Sequence, residues 1–77
     1  MYVVSQNRAL MVRVHRLFVA GVGDPDDPEF EIHHKEPGMK YYEHLVLGRY
    51  KSADAALAEM RAVAKATAAG EGVYMLS

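Results

Sequence analysis

No cysteine occurs in this chain of 77 residues, and that combination limits the fold more than any motif does. A domain this small buries only roughly 60% of the surface its unfolded chain exposes. Its stability falls in the range of about 4–12 kcal/mol. Folds of this size usually draw on disulfides, a structural metal or self-association. Without cysteine, disulfides and thiolate zinc sites are excluded. Self-association is the route left most open. A single small core also leaves little room for a cofactor pocket or an enclosed catalytic cleft.

Nine Lys and Arg stand against ten Asp and Glu, a net charge of −1. That balance argues against general nucleic-acid binding, which calls for a basic surplus. A hydrophobic share of 51% with 25% charged residues belongs to a globular chain. No apolar run approaches the 18 or so residues of a membrane span. The first residues, Met1-Tyr2-Val3-Val4-Ser5-Gln6-Asn7-Arg8, lack the basic-then-apolar order of a signal peptide. A cytoplasmic location is the expectation.

Residues 1–5 are β-rich and end at a turn, Gln6-Asn7-Arg8. Residues 9–20 alternate, with Leu10, Val12, Val14, Phe18 and Ala20 on one parity. Twelve residues is long for one strand, so a bulge or bend is expected near Arg16-Leu17. Residues 21–29, GVGDPDDPE, read as a loop and a local block of negative charge. Asp24, Asp26 and Asp27 do not have calcium-loop spacing. Residues 30–34 and 41–47 read as strands around a Pro37-Gly38 turn. One register pairs Phe30 with Leu47, Ile32 with Leu45 and His34 with Glu43, and sets His33 opposite His44.

Ser52 is a good helix N-cap, with Asp54 in the first turn. The helix runs to about Ala69 and stops at Gly70. At roughly 100° per residue, Ala53, Ala56, Leu57, Met60, Ala64 and Thr67 form the expected core face. A second stripe, Ala55, Ala58, Ala62, Ala66 and Ala69, lies opposite. It is either a solvent face filled by a strong helix former or a seam for a second subunit. Ala55, Ala58, Ala62 and Ala66 are the candidate oligomer interface. A last strand covers residues 73–76. The expected fold is α+β: one small antiparallel sheet of four to five strands with one helix on it, in ββββαβ order, and oligomeric.

Catalysis finds little support. The three serines, Ser5, Ser52 and Ser77, have structural roles or end positions, and no nucleophile elbow is present. Glu43 beside His34 could resemble an acid–base pair, but in a sheet such a pair is more often a surface salt bridge, and the pocket expected of a site is lacking. Adjacent His33 and His34 point to opposite faces of a strand and do not share an ion. His33 with His44, or His34 with Glu43, would need a third ligand from His15 or a second subunit, so no metal is assigned. No cofactor is expected, since no phosphate-cradling glycine loop occurs. Arg8, Arg13, Arg16, Arg49 and Lys51 do gather near tyrosines, and arginine forks bind phosphate or carboxylate. With the Ser5-Gln6 turn, the candidate ligand set is Ser5, Gln6, Arg8, Arg13, His33, Tyr42, His44, Arg49 and Tyr50.

Val4-Ser5-Gln6-Asn7 near the start, Leu47-Gly48-Arg49-Tyr50-Lys51-Ser52 before the helix, and Tyr74-Met75-Leu76 near the end occur in a characteristic order. In this the chain resembles a widespread set of small phage and prophage proteins, over roughly half its length. Asn7 stands where an acidic residue is usual in that set, and Ser77 where proline is common. The resemblance implies a small accessory protein that acts by binding. One expectation is a non-enzymatic anti-defence protein that sequesters a small phosphorylated or nucleotide signal between subunits. An alternative is an inhibitor of a host defence complex such as a CRISPR effector, with the acidic segment mimicking phosphate. A further alternative is a structural phage module whose only activity is oligomerisation.

Overall fold

A computed structural model describes residues 1–40 and 43–77. Six strands and one helix follow in the order β1 (Tyr2–Val4), β2 (Met11–Arg13), β3 (Arg16–Asp24), β4 (Asp27–Lys35), β5 (Leu45–Tyr50), α1 (Ala53–Ala68) and β6 (Val73–Met75). The fold is α+β, but the strands form two three-stranded sheets rather than one. In the first, β1 lies between antiparallel β2 and parallel β6. In the second, β3, β4 and β5 form an antiparallel meander.

The expected long second strand breaks at Val14-His15, just before the expected bend, and its two parts enter different sheets. Backbone bonds mark the corner: the Val14 N–H reaches the Met1 carbonyl at 3.1 Å, and the His15 N–H reaches His34 Nε2 at 3.1 Å. The expected loop over residues 21–29 is instead the end of a long hairpin. Only Pro25 and Asp26 lie between the paired residues Asp24 and Asp27. Asp24 Oδ1 accepts from the Asp26 N–H at 3.0 Å and tightens this tip. Pro28 is tolerated because its missing N–H falls beyond the end of β5, whose pairing begins at Phe30.

The register of β4 on β5 also differs from expectation. Phe30 pairs with Tyr50, Ile32 with Gly48 and His34 with Leu45, with an irregularity between Ile32 and His33. The bulge lets Leu47 and Gly48 both turn inward. Leu47 is thereby buried without the cross-strand partner that simple alternation assigned to it. The Pro37-Gly38 turn forms as expected, with Gly38 at φ 90 and the Met39 N–H on the Glu36 carbonyl.

Ser52 caps α1 through its hydroxyl, which accepts from the Ala55 N–H at 3.0 Å. Gly70 takes φ 77 after the C-cap, and the Glu71 N–H returns to the Ala66 carbonyl. The buried stripe of the helix is Ala56, Val63 and Ala66, with Met60 packed beside it. This is a correction, since Leu57 is 44% exposed and Ala66 lies in the core. The large Val63 draws the face toward itself, and Ala62 becomes half-buried. Of the four alanines assigned to an oligomer interface, Ala55 and Ala58 remain exposed. The core joins both sheets and the helix: Val3, Val12, Ile32, Leu47, Val63 and Leu76.

Candidate functional site

The alternation of β4 sends Ile32 and His34 inward and Glu31 and His33 to the outer face. Yet Glu31 and His33 are only 7% and 4% exposed. Neighbours on that face cover them. The His44 ring stacks on His33 with centroids 4.1 Å apart and planes 6° apart. Phe18, paired with His33 across the strands, meets it edge-on at 5.2 Å. His33 Nε2 donates to Glu31 Oε1 at 2.8 Å, because an ionised carboxylate can only accept. Arg49, opposite Glu31 on β5, places Nε 2.8 Å from Oε2. The hydrogen bond from His33, helped by the Arg49 charge, holds the Glu31 carboxyl below the usual range against the opposing effect of burial.

The guanidinium of Arg49 is thus anchored at one nitrogen while its side chain stays 68% exposed. Beside it a depression of about 370 Å³ opens, lined by Gln6, Asn7, Val46, Leu47, Gly48 and Arg49. The β1–β2 turn builds its far wall. Gln6 completes the outer edge of β5: its N–H donates to the Leu47 carbonyl at 2.8 Å, and its Oε1 accepts from the Arg49 N–H at 2.8 Å. Its Nε2 donates to the Ser77 carbonyl at 3.0 Å. Gln6 therefore stands in for a missing neighbour strand and ties the two sheets and the C-terminal residue together.

Four residues of the expected ligand set, Gln6, His33, His44 and Arg49, are brought to this side of the molecule. Ser5 and Arg8 support it from beneath. Ser5 is buried, its hydroxyl donating to Asn7 Oδ1 and accepting from the Leu10 N–H. Arg8, at φ 65, gives Nη1 to the Leu76 carbonyl at 2.7 Å. Arg13 lies elsewhere, next to Tyr2 on the outer face of the first sheet. Tyr50 faces inward, its hydroxyl buried and without a hydrogen-bond partner among the described residues, and Tyr42 lies outside those residues.

The Glu43–His34 pair does not form. His34 is fully buried, while Glu43 is exposed and accepts from the Lys40 N–H. His15 lies 6.2 Å from His34, not beside His33 and His44. Among the described residues no group of three or more metal-ligating side chains converges. Sequence reasoning missed Glu31, Phe18 and Val46. The signal for Glu31 was an acidic residue two positions before a histidine inside an apolar strand, which places both on one face. Comparisons with known protein families, with curated proteins and with solved structures found no match.

Proposed function

We propose that this is a non-enzymatic binding protein that captures a small phosphorylated ligand in the depression beside β5. The observation that carries the reading is the Arg49 guanidinium, exposed at the rim but oriented from within by Glu31. A planar guanidinium held this way presents its remaining N–H groups to phosphate at little entropic cost. The exposed ring of His44, backed by His33, offers a flat surface for a nucleobase. The backbone and amide groups of Gln6 and Asn7 supply polar contacts to a sugar. No side chain lining the depression is a free nucleophile, which favours capture over turnover.

The depression is open on one side, which suits enclosure between copies that turn their β5 edges toward each other. In an accessory protein of phage type, such capture would withdraw a nucleotide immune signal.

Titration calorimetry against inorganic phosphate, mononucleotides, cyclic dinucleotides and ADP-ribose tests the reading. At least one nucleotide should bind, and Arg49→Gln should weaken it by about tenfold or more, the loss of one charge-assisted contact. Arg13→Gln, on the other sheet, should leave binding unchanged. Absence of heat with every member of the panel, or equal binding by Arg49→Gln, would remove the proposal.

A further inference from the structure

The edge of the second sheet carries an independent feature. β3 is an outer strand of nine residues, and among the described residues no element hydrogen-bonds to its free side. Long edge strands are normally protected by proline, an inward charge, a bulge or a covering segment. Residues 17–23, Leu-Phe-Val-Ala-Gly-Val-Gly, contain no proline and no charge. The two-residue tip closes on the Asp24–Asp27 pair, so residues 17, 19, 21 and 23 turn their N–H and C=O groups away from β4.

The charges sit only at the ends, and within one chain they are arranged unfavourably. Arg16 pairs with Lys35 at the base of the hairpin, and Asp24 pairs with Asp27 at its tip. Like charges directly opposite destabilise a ladder. An antiparallel copy of the same strand, centred on Ala20, reverses this. Arg16 then lies opposite Asp24 of the second copy, at both ends at once. The cationic base of each hairpin meets the acidic tip of the other.

Side-chain size complements in the same register. Leu17 falls opposite Gly23, Phe18 opposite Val22, and Val19 opposite Gly21, so the bulky half of one strand faces the small half of the other. All these pairs share parity, so inward residues stay inward on both copies. Val19 and Gly21, whose backbone groups turn outward, are the pair that this register brings together on either side of the axis. The positive-φ residue of the strand, Gly23 at φ 88, lies outside the central residues 18–22.

We propose that β3 is a homodimerisation edge, pairing antiparallel with β3 of a second copy about a two-fold axis at Ala20. The two three-stranded meanders become one continuous six-stranded sheet. β5 and its depression lie at the far edge, so this interface stands or falls apart from ligand capture.

A charge-swap series on the full chain, read by sedimentation equilibrium, tests the pairing. Arg16→Asp and Asp24→Arg each give their own hairpin an opposite-charge end pair, which in the second variant offsets the lost Asp24–Asp26 hydrogen bond at the exposed tip, and far-ultraviolet dichroism should confirm that folding is retained. Each single change should raise the dimer dissociation constant by about tenfold or more. The double variant, Arg16→Asp with Asp24→Arg, should recover the original constant, because the swapped charges again face each other across the axis. A monomer at all concentrations up to about 1 mM, or a dimer indifferent to both single changes, would overturn the proposal.

Discussion

His34 carries its imidazole into the core with one nitrogen satisfied. Nε2 accepts the His15 N–H, while Nδ1 is buried without a hydrogen-bond partner among the described residues. Burial, reinforced by nearby His15, pushes its pKa below the ordinary histidine value, although Glu36 and a backbone contact from Arg13 oppose this. The folded chain therefore takes up this proton less readily than the unfolded chain. Stability from this residue is complete above about pH 6.5 and declines as pH falls below it. Thermal unfolding between pH 8 and pH 5 should show Tm decreasing on the acid side, and His34→Leu should flatten the slope. An unchanged slope in that variant would place the acid sensitivity elsewhere. A second buried group behaves differently. The Tyr50 ring lies over Gly48, where an added Cβ would come 2.9 Å from its hydroxyl. Burial, with Glu59 and Tyr74 nearby, raises the phenol to about 12. Gly48→Ala should cost about 1–3 kcal/mol by overpacking. Tyr50→Phe should be neutral or slightly stabilising, because the lost hydroxyl has no hydrogen-bond partner among the described residues. Denaturant midpoints of the two variants give the comparison.

At the scale of elements, the Ser5–Arg8 turn does more than connect two strands. Gln6 closes the edge of β5, and Arg8 holds the Leu76 carbonyl, so a four-residue turn links three separate segments. Gln6→Ala should lower stability by about 1 kcal/mol, since the released groups reach water. It should also raise hydrogen exchange at Arg49, whose N–H loses its acceptor. Exchange at Arg49 unaltered by the substitution would mean the edge is protected by something else. Ser52→Ala tests a purely local device and should cost about 1 kcal/mol. The two cases show why legibility differed between elements. The helix limits follow from capping groups one turn apart, and both ends appear where Ser52 and Gly70 predict them. The buried face of the helix depends on which large side chain meets the sheets, and Val63 rather than Leu57 does so. The role of Gln6 was not legible, because its partners lie 43 and 71 positions away.

For the molecule as a whole, the last strand decides whether the two sheets share a core. β6 enters parallel beside β1, and Leu76 beyond it is fully buried among residues of both sheets. Glu59 of the helix secures this segment, accepting from the Tyr74 hydroxyl at 3.0 Å and the Ser77 N–H at 2.8 Å. Leu76→Ala should therefore cost about 2–5 kcal/mol, a large part of the stability of so small a domain. Equilibrium urea unfolding measures it, and a loss below about 1 kcal/mol would show that the site collapses around the smaller side chain. The chain by itself determined what depends on near neighbours: the α+β class, the capped helix, the Pro37-Gly38 turn, and the opposite faces of His33 and His34. Those features rest on backbone geometry and hydrogen bonds spanning a few residues. Tertiary structure decided the rest: the division into two sheets, the bulged register of β4 on β5, and the burial of Glu31 between His33 and Arg49. Each of these compares whole arrangements of distant segments that satisfy the same alternation of apolar residues. Only simultaneous packing of both sheets and the helix separates them in energy.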